Sequence, residues 1–201
     1  MFFRTDWPFD NKFESIYLEL QQEYADNYDR FIEDKDNIII TYPEEYAKGE
    51  WKSTWLSYNN EFHSAAEECF PKTVSLLKSF GCVFHSQFST LEPRSYIVPH
   101  NGIDKDGMLR GQLVLATPDD AECKLFASSG EETHEVHQKE GSSFFFDDRC
   151  LHWTGNPSYT QKRTVIMFDF WPPGVDFKTY SDIIYKKIAE ENINKRMVKH
   201  V

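Results

Sequence analysis

The 201-residue sequence has no long apolar run and no cluster of basic residues. No stretch approaches the ~20 consecutive apolar residues that a membrane-spanning helix needs, so we expect no membrane partner. Lys and Arg number 22 against 33 Asp and Glu, which gives a formal net charge of −11. Because nucleic acids and anionic membranes are bound through clustered cations, this composition argues against both as partners.

Cysteine is scarce, and the residues present are widely spaced, at Cys69, Cys82, Cys123 and Cys150. They form no Cys-x-x-Cys pair, and their spacing fixes no disulfide pairing. The N-terminal segment also lacks the basic region and long apolar core of a signal peptide. We therefore predict reduced thiols and a cytoplasmic location.

Aromatic residues are abundant, at 16% of the chain, and they favour half-buried strands. The order of sequence patterns predicts one domain over residues 1–201. It comprises a mostly helical support at 1–81, a jelly-roll core at 82–172 and a C-terminal helix at 173–201. Within the support, the β-branched run at 38–42 predicts one short strand. The predicted fold class is thus mainly β with flanking α.

Short apolar runs separated by turn-forming clusters indicate the strands of the core, and this spacing is typical of a sandwich or jelly roll. The predicted strands are 82–91, 94–99, 108–116, 122–127, 133–138, 143–147 and 163–171.

Alternation along a strand predicts which side chains share a face. The predicted sets are Tyr96, Val98 and His100; Arg110, Gln112 and Val114; and Arg163, Val165, Met167 and Asp169. A buried, unpaired cation is costly, so an arginine on an inward-facing strand needs an anion. A bound dicarboxylate would supply that anion in a bidentate pair.

Two histidines and one arginine stand at intervals that suggest iron/2-oxoglutarate chemistry. His100 ends one strand, His152 follows about fifty residues later, and Arg163 lies roughly one strand beyond. The usual triad of two histidines and one carboxylate would place an acid at position 102, where this chain has Gly102. For each histidine alone, the alternative is a hydrogen-bonded residue of a β core.

Several short motifs in a fixed order resemble the aspartyl/asparaginyl beta-hydroxylase family of iron(II)/2-oxoglutarate dioxygenases. Each motif is weak, but the ordered set spans about 120 residues and is specific. The family also typically has glycine where related oxygenases carry the iron-binding carboxylate. The motifs are Gly-Glu-Trp (49–51), Phe-Pro-Lys-Thr-Val-Ser-Leu-Leu (70–77), Ser-Thr-Leu-Glu-Pro (89–93), Ile-Val-Pro-His-Asn-Gly (97–102), Leu-Arg-Gly-Gln-Leu-Val-Leu-Ala-Thr-Pro (109–118), Phe-Asp-Asp (146–148), His152 and the segment from Arg163 to Pro172.

The resemblance implies a cupin-like double-stranded β-helix that uses Fe(II) and 2-oxoglutarate. It implies that His100 and His152 bind Fe(II) through neutral imidazoles. It also implies that Arg163 pairs with the distal carboxylate of 2-oxoglutarate and that Ser89 donates to the same group. The remaining residues of the implied cosubstrate pocket are Trp51, Arg110 and Gln112. Gln112 departs from the family, which commonly has histidine there.

Three aspartates, Asp104, Asp147 and Asp148, stand near the implied metal ligands in the sequence. The resemblance implies that Asp148 holds an iron-bound water or orients His152; the alternative is that it caps a turn at the end of a strand. Asp147 has the opposite parity and is predicted to serve the turn. Asp104 would reach the iron only if its loop folds inward.

The implied function is hydroxylation of an unactivated C–H bond with O₂ as co-reactant. The expected substrate is an amino acid, peptide or protein residue with an acidic or amide side chain, modified at the β-carbon of an aspartate or asparagine. Alternatives are the same chemistry on a lipid or natural product, and a catalytically silent jelly-roll binding module. Halogenation, desaturation and the oligomeric state are left open.

Overall fold

The computed structural model describes residues 10–33, 39–102 and 108–171. The predicted C-terminal helix at 173–201 and Asp104 lie outside the described residues. Three helices occur in the described part: α1 (Asp10–Glu33), α2 (Ser64–Cys69) and α3 (Pro71–Ser79). A proline begins α3, where its missing N–H would have no helical partner.

The same residues form twelve strands in two antiparallel sheets. They are β1 (Ile39–Thr41), β2 (Ala47–Lys48), β3 (Trp51–Tyr58), β4 (Glu61–Phe62), β5 (Cys82–Leu91), β6 (Ser95–His100), β7 (Leu109–Ala116), β8 (Lys124–Ser128), β9 (Thr133–His137), β10 (Ser143–Phe146), β11 (Leu151–Asn156) and β12 (Arg163–Trp171).

The major sheet has the order β1-β3-β5-β12-β7-β10, with β4 paired to β3. The minor sheet has the order β2-β6-β11-β8-β9. From β5 to β12 the chain passes repeatedly between the two sheets, with only β8 and β9 consecutive in the same sheet, and this is the predicted jelly roll. The helices pack on one face of the major sheet, whose other face lies toward the minor sheet.

The prediction of a mostly helical support over residues 1–81 is wrong between residues 47 and 62. Three unpredicted strands, β2, β3 and β4, occupy this segment, and β3 pairs with β5 along most of its length. The sequence Trp-Lys-Ser-Thr-Trp-Leu-Ser-Tyr of β3 is rich in aromatic and β-branched residues, which suit a pleated surface. The short strand predicted at 38–42 is confirmed as β1, in its described part.

The two faces of the major sheet carry different cores, and the predicted alternation in β7 and β12 is confirmed. Leu113, Ile166 and Phe168 belong to the core beneath the helices, together with Phe13 and Leu20 of α1. The opposite face contributes to a second core between the sheets, formed by Val114, Leu125, Phe144, Phe146, Val165 and Met167. The predicted polar residues share this inner face.

Candidate active site

His100 and His152 lie directly opposite each other in the minor sheet. His100 is the last residue of β6, and His152 is the second residue of β11. The two are register partners, and their ring centroids lie 4.2 Å apart. The two predicted metal ligands are therefore brought together.

An irregularity in β6 determines which face His100 occupies. His152 pairs with His100, but Thr154 pairs with Ile97, so β6 has one more residue than β11 between the two pairs. This bulge reverses the side-chain parity. The prediction that Tyr96 and His100 share a face is therefore wrong. Tyr96 is exposed, whereas His100 is on the side of buried Ile97.

Backbone carbonyls fix the orientation and tautomer of both imidazoles. His100 Nδ1 lies 2.8 Å from the carbonyl oxygen of Val98, and His152 Nδ1 lies 2.9 Å from that of Cys150. A carbonyl only accepts, so each Nδ1 carries the hydrogen and each Nε2 keeps a lone pair. This is the arrangement that metal-binding histidines use.

Both imidazoles are held neutral. Burial, reinforced by the positive charge of Arg110, lowers the pKa of His100. Burial, Arg110 and the neighbouring His100 together lower the pKa of His152 to about 3. A neutral imidazole is the form that coordinates a metal, so both residues are in the required state without prior deprotonation.

Asp148 lies beside the lone pair of His152, in space that Gly102 leaves open. Its Oδ1 is 3.4 Å from His152 Nε2, and its backbone carbonyl accepts a 2.8 Å hydrogen bond from Gly102 N. A Cβ added at Gly102 would lie 1.8 Å from Asp148 Oδ2. The carboxylate therefore comes from residue 148, since the backbone at 102 has no room for a side chain.

Asp147 serves the adjacent turn, as predicted from its parity. Its carboxylate accepts hydrogen bonds from the backbone and the guanidinium of exposed Arg149. These contacts lower the pKa of Asp147. Asn101 Nδ2 donates to the Arg149 carbonyl at 2.8 Å and so ties the end of β6 to this turn.

Arg110 joins Asp148 to a second buried carboxylate. Its Nη1 lies 2.5 Å from Asp148 Oδ1, while Nε and Nη2 donate to the two oxygens of Asp169 at 2.8 and 3.0 Å. Burial lowers the pKa of Arg110, but the two carboxylates outweigh this effect and raise it above its usual value. Carboxylates of the chain thus hold the arginine that was predicted to line the cosubstrate pocket.

Arg163 contrasts with Arg110, because no described residue accepts a hydrogen bond from its Nε or Nη2. The side chain is only 1% exposed. Burial lowers the pKa of its guanidinium to about 10, which leaves it charged at neutral pH. A buried cation without an anion is unfavourable, so this position fits an anionic ligand.

The other predicted pocket residues lie on strands next to Arg163. Trp51 and Arg163 both pair with Leu91, and Ser89 pairs with Val165. Trp51 Nε1 donates to Ser89 Oγ at 3.0 Å, which leaves the hydroxyl hydrogen of Ser89 available to a ligand. The Trp51 ring is itself held by a stacked Tyr42, with centroids 3.6 Å apart.

Gln112 occupies the predicted face and is oriented by a second glutamine. Gln138 Nε2 donates to Gln112 Oε1 at 3.1 Å, and Thr154 Oγ1 lies 3.2 Å from Gln138 Oε1. Gln112 Nε2 faces the sulfur of Met167, 4.0 Å away on the inner face of β12. The amide that replaces the common histidine is thus part of a buried hydrogen-bonded chain.

The sequence interpretation missed Asp169 as a site residue, and it missed His85. His85 Nε2 lies 3.3 Å from Asp169 Oδ2, behind the contact with Arg110. Strand alternation could have indicated Asp169, because it shares the inner face of β12 with Arg163. His85 likewise shares a face of β5 with Ser89, but alternation alone does not predict its contact with Asp169.

Comparison with known proteins identifies the family of this chain. The sequence model of the aspartyl/asparaginyl beta-hydroxylase family matches residues 12–173. The chain belongs to this family. A search of curated proteins gave no significant match. Membership makes the protein a 2-oxoglutarate-dependent oxygenase.

Solved structures of other oxygenases share the fold of this aspartyl/asparaginyl beta-hydroxylase relative. An oxidoreductase of the 2OG-Fe(II) oxygenase family from Burkholderia pseudomallei has 9% identity and a TM-score of 0.53, covering 83% of this chain and 93% of its own. A Pseudomonas putida prolyl-4-hydroxylase has 14% identity and a TM-score of 0.51, covering 79% and 88%. The epimerase SnoN, solved with Fe³⁺, alpha ketoglutarate and nogalamycin RO, has 14% identity and a TM-score of 0.50, covering 78% of each chain. At these identities the likeness concerns the fold alone.

Among the described residues of this family member, no helix is long and apolar enough to cross a membrane. No group of three or more His, Cys, Asp or Glu side chains is arranged to hold a metal ion within residues 10–33, 39–102 and 108–171. A metal at this site would therefore rely on two imidazoles, with Asp148 as the nearby carboxylate.

Proposed function

We propose that the protein is an Fe(II)- and 2-oxoglutarate-dependent hydroxylase of the β-carbon of an aspartate or asparagine in an amino acid, peptide or protein. The observation that carries the proposal is the combination of two paired imidazoles with free Nε2 lone pairs and one buried arginine without an anion. The first suits a metal, and the second suits a dicarboxylate.

His100 and His152 would hold Fe(II) through their Nε2 atoms. The carbonyls of Val98 and Cys150 hold the rings in this orientation before the metal binds. Asp148 would contribute a negative charge next to the metal and accept a hydrogen bond from a water on it. The Asp148 contact with Arg110 Nη1 restricts where that carboxylate can point.

Arg163 would pair with the distal carboxylate of 2-oxoglutarate, and Ser89 would donate its hydroxyl hydrogen to the same group. Trp51 orients that hydroxyl through its indole N–H. Gln112 can donate from Nε2 toward the cosubstrate, because Gln138 already occupies its oxygen. Arg110 contacts both Asp148 and Asp169 and is the candidate for a contact shared between the cosubstrate and substrate carboxylates.

When bound, iron and 2-oxoglutarate supply the oxidation, in which O₂ is consumed, the cosubstrate becomes succinate and CO₂, and a substrate C–H becomes C–OH. The chain itself orients the reactants and excludes water. The buried apolar side chains beside the polar site would exclude water from that side of it. They are Val114, Phe144, Phe146, Val165 and Met167.

The decisive experiment is mass spectrometry of candidate aspartate- and asparagine-containing peptides and amino acids incubated with Fe(II), ascorbate and 2-oxoglutarate. We expect a gain of one oxygen on the substrate and matching formation of succinate. The substitutions His100→Ala and His152→Ala should abolish both, because each removes half of the protein ligands. Succinate formation that survives complete removal of iron would contradict the proposal.

A matched control uses histidines outside the site. His134 is exposed in β9, where its imidazole approaches Glu132. His134→Ala should therefore retain turnover.

Calorimetric titration separates an enzyme from a silent binding module, since only the enzyme should bind 2-oxoglutarate more tightly when Fe(II) is present.

A further inference from the structure

Three buried polar atoms on β3 and β5 have no partner among the described residues. They are Ser53 Oγ, Trp55 Nε1 and Gln87 Oε1. The side chains of Ser53 and Gln87 are 0% and 1% exposed. Buried polar atoms in native proteins are nearly always hydrogen-bonded, so three adjacent exceptions call for a ligand.

Strand register places the three side chains on one face. Ser53 pairs with Ser89 and Trp55 pairs with Gln87, and cross-strand partners point to the same side of a sheet. The intervening residues point the other way. Thr54 bonds to Tyr28 of α1, and Phe88 packs in the core beneath the helices. The unpartnered atoms therefore lie on the inner face.

Close contacts connect this cluster to both ends of the candidate active site. Ser89, the partner of Ser53, accepts a hydrogen bond from Trp51 in the proposed cosubstrate pocket. At the other end, the Trp55 ring lies 5.0 Å from the His85 ring, and His85 contacts Asp169. The cluster therefore borders the proposed cosubstrate pocket and the Arg110–Asp169 pair.

The donors and acceptors in the cluster select the chemistry of its ligand. Trp55 Nε1 only donates, Gln87 Oε1 only accepts, and the Ser53 hydroxyl does either. A carboxylate has no hydrogen for Gln87 Oε1. An ammonium has no acceptor for Trp55, and an alkyl group would satisfy none of the three. A primary carboxamide has two N–H donors and one carbonyl, which match the whole set.

We propose that Ser53, Trp55 and Gln87 form a substrate subsite for an uncharged carboxamide, so that the preferred substrate is an asparagine-type amide and not its acid. The carboxamide donates to Gln87 Oε1 and Ser53 Oγ and accepts from the Trp55 indole N–H. This inference rests on the proposed function and makes its substrate class narrower.

The first test compares short peptides that differ at one position, which is Asn, Asp or Leu. The Asn peptide should give the highest kcat/KM for succinate formation, at least about tenfold above the Asp and Leu peptides, because those leave polar atoms of the subsite unpaired. Equal or greater turnover of the Asp peptide would overturn the subsite.

The second test replaces hydrogen-bonding side chains of the subsite by apolar ones. Gln87→Met and Trp55→Phe should each lower kcat/KM for the Asn peptide by about tenfold and reduce the Asn-to-Asp ratio. Gln21→Met is the matched control. Gln21 donates to the Leu115 carbonyl from α1, on the helical side of the sheet, and its loss should not change the ratio. An unchanged ratio in Gln87→Met would contradict the assignment.

A binding measurement without turnover keeps the two proposals separable. The Zn(II)-substituted, 2-oxoglutarate-loaded protein is titrated with the Asn peptide while the indole N–H signals of its five tryptophans are followed by NMR. Trp55→Phe identifies the Trp55 signal, which should move with the Asn peptide and not with the Leu peptide. A Trp55 signal that stays fixed while the peptide binds would mean that a structural water satisfies the cluster. If neither metal nor 2-oxoglutarate binds, the proposed function itself fails.

Discussion

Asp148 occupies the space in which a side chain at Gly102 would begin. A Cβ at position 102 would come within 1.8 Å of Asp148 Oδ2 and 2.8 Å of the Asp148 carbonyl oxygen. The backbone hydrogen bond from Gly102 N to that carbonyl fixes the two segments at this separation. The glycine is therefore required sterically, because it lets a carboxylate from the β10–β11 turn approach His152.

Gly102→Ala should displace Asp148 and weaken metal binding. The new methyl group cannot coexist with the present Asp148 position, so the turn must shift. We expect a loss of about 1–3 kcal/mol in the free energy of unfolding and about 10–100-fold weaker metal affinity. Chemical denaturation and Co(II) titration measure the two effects.

Gly155→Ala is the control for this change, since an added Cβ in β11 would meet Tyr96 Cβ at 3.2 Å and no residue of the proposed metal site. Its metal affinity should match that of the wild type. The double variant Gly102→Ala/Asp148→Ala should regain part of the lost stability without regaining activity. A Gly102→Ala variant with unaltered metal affinity would show that the approach of Asp148 does not matter.

Arg163→Met should stabilise the ligand-free protein while removing its response to 2-oxoglutarate. The guanidinium is buried, and no described residue accepts from its Nε or Nη2, so an apolar side chain of similar size relieves an uncompensated charge. We expect a gain of about 1–3 kcal/mol in the free energy of unfolding without ligand. The rise in Tm that 2-oxoglutarate produces in the wild type should disappear.

The exposed Arg30, which pairs with Glu68, provides the comparison for that experiment. Arg30→Met should change stability by less than about 1 kcal/mol and keep the full response to 2-oxoglutarate. A loss of stability in Arg163→Met, with Arg30→Met unchanged, would mean that the Arg163 charge is compensated within the fold.

Alternation along the strands predicted which side chains of β7 and β12 lie on the inner face. It therefore predicted that Gln112 and Arg163 share a face with the other residues of their sets. It failed at His100, because the bulge in β6 depends on how β6 pairs with β11 and leaves no mark in the spacing of residues 95–100. The Arg110 contacts with Asp148 and Asp169 could not be predicted either, because alternation assigns side chains to faces but does not predict which of them form ion pairs. The resemblance singled out residues that the fold brings close together, whereas the geometry between Gly102 and Asp148 required the folded chain.

Asp169→Asn should destabilise both the fold and the metal site. Asp169 is fully buried and accepts two hydrogen bonds from Arg110. Neutralising it therefore removes one of the two carboxylates that balance the charge of that guanidinium. Breaking one partner of a buried ion pair costs about 3–5 kcal/mol. The absorption spectrum of the Co(II)-substituted protein should also change, because Arg110 positions Asp148.

Asp147→Asn is the matched control, since Asp147 binds the exposed Arg149 in the adjacent turn. We expect it to cost less than about 1 kcal/mol and to leave the Co(II) spectrum unchanged. If Asp169→Asn lowered stability while the spectrum stayed as in the wild type, Asp169 would have a purely structural role.

The metal-free protein should lose stability as the pH falls below about 6.5, the pKa of an unfolded histidine. The folded-state pKa of His152 is about 3, so between these values the unfolded chain binds a proton that the folded protein does not. Stability therefore rises with pH across this window, and His152 alone should account for about 2 kcal/mol between pH 5 and pH 8.

Urea denaturation at a series of pH values measures this dependence of the free energy of unfolding on pH. His152→Phe should flatten it, with His100 contributing what remains in the same direction because its pKa is also lowered. A His152→Phe slope equal to that of the wild type would show that the imidazole is not held neutral by the fold.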